Sequence, residues 1–258
     1  MSDVATKRPK RRRRLSRQEE GRRRFLRAAL VGVALLATWP LASLPVVRRL
    51  HIRLRPPGAQ QGEQRFLAAC IKCGQCVQVC PVQAIQLADL GDGYGHGAPY
   101  IDARAQACDF SCDALSCILA CPTGALRHEL NAKEEVRIGT ARLARPDACL
   151  ARRGEGFQGK ARSSAFRGRL RYEEIDRWKA QPVAEYAYDV DLCDLCVREC
   201  PIGEAALRLS PLAAEDGVRR MTHVVGDGCV GCGVCEMICP EEPACIVVDP
   251  SAATEIPT

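Results

Sequence analysis

The longest apolar stretch lies near the start of the chain. From Ala28 to Val47 no residue is charged, and Arg48 and Arg49 close the run. Twenty uncharged residues are long enough to span a bilayer or to form the apolar region of an export signal. Beyond it the apolar residues come in short groups, four of which follow a Cys-Pro pair: Ala84-Ile85, Ala125-Leu126, Ala206-Leu207 and, more loosely, Ala244 to Ile246. The chain is therefore a fourfold internal repeat, each unit reading as a cysteine-bearing loop that runs into a short helix. Arg137 to Leu143 and Thr222 to Val225 have the β-branched content and length of short strands, and the glycines of Gly91 to Pro99 mark a loop.

The stretch 150–192 differs in kind. Arg152 to Arg171 holds seven basic residues and one acid, Glu155, with Gly and Ser interspersed, which predicts a mobile loop. Tyr172 to Lys179 predicts a short helix, with Glu173 and Arg177 at i,i+4 spacing and Pro182 just beyond. The segment reads either as a solvated insertion or as a docking surface for an acidic partner.

Charge sharpens the division. Of 258 residues, 37 are Lys or Arg and 31 Asp or Glu, a formal +6. Residues 1–27 carry 12 basic and 3 acidic side chains; the remainder carries 25 and 28 and is slightly acidic. The basic balance belongs to the tail, so no nucleic-acid partner is expected for the body. Within the tail, Arg22-Arg23-Arg24-Phe25-Leu26 resembles a twin-arginine signal, with Gly21 where Ser or Thr is more usual. The organisation that follows is a basic region at 1–27, an apolar signal or anchor at 28–47, and a domain at 48–258 with an insertion at 150–192. The expected location is the periplasm, or the periplasmic face of the inner membrane if residues 28–47 stay uncleaved as an anchor.

The chemistry is in the 17 cysteines. Cys70, Cys73, Cys76 and Cys80 are separated by two, two and three residues, and Cys229, Cys232, Cys235 and Cys239 repeat that spacing; both quartets end in Cys-Pro. This is the bacterial 4Fe-4S ferredoxin run, in which three thiolates bind one cluster and the fourth serves another. Gly74, Gly231 and Gly233 would let the backbone pass close to inorganic sulfide. Cys108, Cys112, Cys117 and Cys121 form a variant quartet spaced three, four and three. Cys193, Cys196 and Cys200 lack a nearby first member; Cys149 supplies one, if residues 150–192 are an excursion that returns to the same place. Sixteen thiols are thus candidate iron ligands for four 4Fe-4S clusters, and Cys245 is left over where a small packed side chain is expected.

Other uses of the thiols fit less well. Structural zinc has no use for a Cys-x-x-Cys-x-x-Cys run, and thiols three apart in tight loops pair poorly as disulfides. Haem attachment needs Cys-x-x-Cys-His, which is absent, and Cys117 comes too late for a radical-enzyme motif. The histidines at 51, 96, 128 and 223 read as structural or solvent-facing, and no catalytic constellation or phosphate loop stands out. The fold expected is α+β, built of tandem or nested bacterial-type ferredoxin modules with two clusters per module and little regular secondary structure. Metal binding supplies much of its folding free energy.

The tail, Arg53-Leu54-Arg55-Pro56-Pro57-Gly58-Ala59, Cys70 to Pro81, Gly97-Ala98-Pro99-Tyr100 and the order of the four motifs together resemble the NapG/MauN family of ferredoxin-type proteins over nearly the whole chain. The NapG-like branch implies a four-cluster electron carrier that works with a membrane-bound NapH-like quinol dehydrogenase to feed a periplasmic reductase, the nitrate reductase. The MauN-like branch implies a ferredoxin of methylamine utilisation. The long insertion before Cys193, the wider gap from Cys108 to Cys112 and the thiol at 245 depart from the NapG-like pattern. An iron-sulfur subunit of another periplasmic oxidoreductase, or a maturation factor, are the remaining classes; in none is the chain itself expected to be catalytic. By analogy with other four-cluster ferredoxins, the first motif is expected to pair with the fourth and the second with the third.

Overall fold

A computed structural model describes residue 18 and residues 21–34, 53–89, 95–112, 114–161, 187–213 and 218–251. The chain divides into two units, 1–49 and 50–258. In the first, residues 21–34 form helix α1, with Phe25, Leu26, Leu30, Val31 and Val33 exposed. Among the described residues no helix is long and apolar enough to cross a membrane. Most of the 28–47 segment lies outside the described residues, as does the helix expected at 172–179.

The second unit opens with the segment quoted above for its resemblance. Leu54 bridges Ile101 and Ala59 bridges Leu126, while Pro56 and Pro57 are wholly buried. Helix α2 (Glu63–Ala69) follows and buries Phe66. Arg55 holds this corner together: it pairs with Glu63, donates to the Pro99 carbonyl at 2.7 Å and lies 5.0 Å over the Phe66 ring. Arg53 stacks on Tyr100 at 4.2 Å, so the second quoted segment is its partner.

Four very short helices then mark the repeat: α3 (Gln75–Gln78), α4 (Ser116–Leu119), α6 (Leu195–Arg198) and α7 (Val234–Ile238). Each carries a buried cysteine as its second residue: Cys76, Cys117, Cys196 and Cys235. Three begin after a residue in the left-handed region, Gly74, Leu115 and Gly233, and α6 begins after Asp194, which also pairs with Arg198. Each helix stops at the following Cys-Pro, because the residue before a proline is driven out of the helical region.

Beyond each Cys-Pro the apolar echo does not continue as helix. It buries an alanine (Ala84, Ala125, Ala206, Ala244) and becomes extended. Strand β1 (Ile85–Leu87) pairs antiparallel with β2 (Pro99–Ile101), and Leu126 makes the bridge to Ala59. Strand β3 (Thr140–Leu143) pairs antiparallel with the last strand, β8 (Ile246–Asp249). Helix α5 (Leu150–Arg153) leads to β4 (Phe157–Gly159), which pairs with β5 (Tyr188–Val190). A longer hairpin joins β6 (Leu207–Leu212) to β7 (Arg220–Val225). The described sheets are all two-stranded. A core of so many small residues and cysteines buries little apolar area per residue, which leaves the thiol sites to organise it.

The excursion after Cys149 returns as the sequence requires. The β4–β5 ladder closes its base, and the Cys193 amide donates to the Glu155 carbonyl at 3.0 Å. Its beginning is not a loop, however. Arg152 sits in α5, where the buried Ala151 anchors the turn, and donates to Thr222 Oγ1 at 2.9 Å. The rest of the basic stretch, from 162, lies outside the described residues.

Candidate metal centres

The thiols gather in four sets, and none of the 17 is in a disulfide. Cys70, Cys73, Cys76 and Cys121 line one cavity (first site). Cys80 faces Cys108 and Cys112, and Cys117 faces Cys112 and Cys80 (second site). Cys200, Cys229, Cys232 and Cys235 line a cavity (third site). Cys149, Cys193, Cys196 and Cys239 line another (fourth site), and Cys245 reaches the same wall.

The sets explain why each quartet is split. In a helix of four or five residues the second residue points into one cavity. The Cys-Pro that ends the helix lies beyond a change of backbone direction and faces the next cavity. Cys76 and Cys80 therefore serve neighbouring sites, as do Cys117 and Cys121, Cys196 and Cys200, and Cys235 and Cys239. Exchange between sites is what the sequence predicts, but the pairing differs from the nesting expected. The first motif exchanges with the second and the third with the fourth; Cys80 stands with Cys108, Cys112 and Cys117, not with Cys229, Cys232 and Cys235. The contacts that fix this pairing lie within each half: the β1–β2 pair and the Ala59–Leu126 bridge tie the first motif to the second, and the β6–β7 hairpin and the β3–β8 pair tie the third to the fourth.

The sites follow one another. Cys117 of the second feels the charge of Cys76 of the first. The amide of Cys108, in the second, donates to the carbonyl of Cys232, in the third, at 3.1 Å. Cys235 of the third feels Cys196 of the fourth. Arg104 clamps the junction of the second and third: its guanidinium donates to the carbonyls of Glu236, Cys239 and Glu241 and pairs with Glu242 at 3.0 Å. Gly231 and Gly233 serve this junction too. Both have left-handed φ, and a Cβ on Gly231 would lie 2.3 Å from the backbone of Gly139, one on Gly233 2.6 Å from the Ala103 side chain. These close approaches, together with the left-handed backbone, require glycine here; Gly74 needs it for its φ of 74° alone.

The donor chemistry fits iron-sulfur clusters. Among the described residues no three His, Cys, Asp or Glu side chains converge closely enough to hold a single metal ion. Tetrahedral zinc would need sulfurs about 2.3 Å from one point. Here the thiols stand around a volume, with apolar walls and backbone amides aimed at sulfur. Ala84 N donates to Cys80 Sγ at 3.3 Å, Ala141 N to Cys229 Sγ at 3.4 Å and Cys245 N to Cys239 Sγ at 3.3 Å. Burial, helped by neighbouring thiols, pushes Cys76 and Cys232 up to about 12 and Cys193 to about 11. Cys108, Cys196 and Cys235 are held well above the ordinary thiol range for the same first cause. Binding of iron would have to displace the protons that such thiols hold.

His223 is the residue that sequence reasoning missed. It does not simply face solvent: on β7, opposite Leu209, it enters the wall of the fourth site. Its Nε2 is 2.8 Å from Cys196 Sγ and its Nδ1 3.9 Å from Cys149 Sγ. Burial, with Arg152 nearby, lowers its pKa to about 4. His128 behaves differently, contacting the Cys121 carbonyl at 2.7 Å. His96 is exposed in the turn before β2, and His51 is outside the described residues.

The 4Fe-4S dicluster domain matches twice, over residues 69–125 and 191–242, each match spanning two successive motifs. The ferredoxin-type protein NapG of Escherichia coli (strain K12) is 36% identical over 255 residues, covering 93% of this chain and 90% of that protein. NapG of Haemophilus influenzae is 33% identical, covering 89% and 71%. The methylamine utilization ferredoxin-type protein MauM of Paracoccus denitrificans is 35% identical, covering 82% and 79%. No solved structure matches. With its thiols gathered in sets and likeness running through nearly its whole length, the chain belongs to the family of ferredoxin-type proteins that includes NapG and, where MauN was expected, MauM, iron-sulfur proteins of electron transfer.

Proposed function

We propose that the chain is a four-cluster electron carrier that takes electrons from a membrane-bound NapH-like quinol dehydrogenase and delivers them to a periplasmic reductase, the nitrate reductase. The ligands are Cys70, Cys73, Cys76 and Cys121; Cys80, Cys108, Cys112 and Cys117; Cys200, Cys229, Cys232 and Cys235; and Cys149, Cys193, Cys196 and Cys239. When bound, a 4Fe-4S cluster accepts and donates one electron with little change of geometry. Everything else is work for the polypeptide. It positions each set, lines the sites with small apolar side chains, and fixes the order of the sites.

The single observation that carries the reading is the hydrogen bond from Cys108 to Cys232. That contact joins the second site to the third and supports four sites in series. At one end of the series Cys73 is exposed and Ile71 beside it is 63% exposed, which supports the first site as the port to a partner. Neither a haem motif nor a catalytic constellation occurs in the sequence, so both partners in the circuit are other proteins. A periplasmic location, with twin-arginine export and membrane tethering through 28–47, would bring the carrier to the surface where quinol is oxidised. The 35% identity to MauM supports a second reading, service in methylamine utilisation with a different terminal partner.

The test is cluster oxidation state in membranes. Quinol should reduce the clusters only when the membrane partner is present. Reduction of the purified protein by quinol alone would contradict the reading, as would intact nitrate and methylamine respiration after deletion.

A further inference from the structure

The third and fourth sites are built from the same two motifs, yet their walls differ: the fourth adds His223, the thiol of Cys245 and the carboxylate of Glu241, and of these only the imidazole lies within hydrogen-bonding distance of Cys196 and Cys149. The third is lined by four cysteines with apolar residues and glycines, and carries neither histidine nor charge. The fourth has an imidazole against its sulfurs. We propose that His223 tunes the cluster held by Cys149, Cys193, Cys196 and Cys239, raising its potential above that of the neighbouring third site by hydrogen bonding to its thiolates. The proposal rests on the reading of these four cysteines as cluster ligands.

The argument is geometric. Strand β7 is fixed by a six-residue ladder to β6, and Thr222, next to His223, accepts from Arg152 at 2.9 Å, so the ring has little freedom. Both of its nitrogens face ligand sulfurs, Nε2 toward Cys196 and Nδ1 toward Cys149. A thiolate bound to iron has no proton and only accepts, so whichever nitrogen carries hydrogen donates to a ligand of this site. Hydrogen bonds to cluster sulfur stabilise the more negative, reduced state, and are among the factors that set cluster potentials. The Arg152 guanidinium on the same side acts in the same direction, since its charge also reaches Cys149. At equilibrium one electron shared between the third and fourth sites then resides on the fourth: that cluster is reduced by one electron as its neighbour is oxidised by one.

His223 acts through Cys196 and Cys149 and is not a ligand itself, because four thiols already complete the set. The experiment compares the full-length holoprotein with His223→Phe, which fills the space but donates nothing, and His223→Gln, which keeps an N–H donor. Iron content and redox titration followed by electron paramagnetic resonance are read on all three. The Phe variant should keep its iron and lower one potential, shifting the electron's preference for that cluster about tenfold, about 59 mV for a one-electron couple. The other potentials should hold, and the Gln variant should recover most of the shift.

Protein carrying 15N-histidine should show weak hyperfine coupling to one reduced cluster, absent from the Phe variant. Unmoved potentials in an iron-replete Phe variant would overturn the proposal. So would a strong coupling typical of direct nitrogen ligation, or a loss of the same cluster from both variants. A wild-type protein without a cluster at the Cys149 set would instead refute the ligand assignment on which the proposal stands, and that result is read before any variant is made.

Discussion

The backbone amide of Cys108 donates to the carbonyl of Cys232 at 3.1 Å, joining a thiol loop of the second site to one of the third across more than a hundred residues of chain. Around it Arg104 reaches five acceptors on the last motif, and Gly231 and Gly233 admit backbone and alanine contacts that any side chain would block. The junction turns two pairs of sites into one series.

Arg104→Ala should loosen that junction. The guanidinium is largely buried and satisfies several carbonyls at once, so its loss should cost about 3 kcal/mol. Arg104→Lys should recover only part, because one ammonium cannot reproduce the fork. Thermal unfolding of the holoprotein measures the loss, and equal stability of Ala variant and wild type would show that the junction contributes nothing.

Cys80→Ser should damage the site of Cys108, Cys112 and Cys117, with up to about four irons lost, and leave the other three sets intact. Spectroscopic damage at the Cys70 set or the Cys229 set would contradict the pairing of neighbouring motifs.

Cys245 lines the fourth cavity and is only 2% exposed; its backbone amide donates to Cys239 Sγ at 3.3 Å, and its thiol also contacts Cys239. Cys245→Ala keeps that amide. It should therefore retain the full iron content and lose about 1 kcal/mol of packing. Loss of a whole cluster, counted as iron, would mean that Cys245 is a ligand and another thiol of that set is not.

How much of this could be read in advance depended on what spacing encodes. The short spacings identify ligands, and the leftover thiol arithmetic finds Cys149 although 43 residues separate it from Cys193, because the β4–β5 ladder closes the excursion as the count demands. Which motif pairs with which is not encoded there, since the exchange of Cys80 or Cys239 looks the same in sequence for either pairing. It is settled by tertiary contacts such as Leu126 with Ala59 and β3 with β8. His223 was hidden for a similar reason. It lies six residues before Cys229 and so seems to belong to the fourth motif, whereas the β6–β7 hairpin carries it back to Cys196 of the third. A short helix in each repeat was legible but its place was not: it lies within the quartet, where a loop was expected, and the apolar echo is extended instead, because three-residue runs such as Ile85 to Leu87 show no periodicity that separates strand from helix.

The tail makes its own prediction. Arg22 and Arg23 precede an apolar run, and if they are read by the twin-arginine route, replacing both with Lys should leave folded, cluster-bearing protein in the cytoplasm. Fractionation with spectroscopy on each fraction checks this; unchanged export would make the segment a simple anchor.

The central claim is that sixteen of the cysteines hold four clusters, and anaerobic metal analysis tests it most directly. Protein prepared without oxygen should contain about 16 iron and about 16 acid-labile sulfide per chain and take up about four electrons in a reductive titration. Chelation should strip the iron and unfold the domain together, since metal binding supplies much of the folding free energy. Stoichiometric zinc with little iron, or a saturated content of about eight irons, would contradict the account.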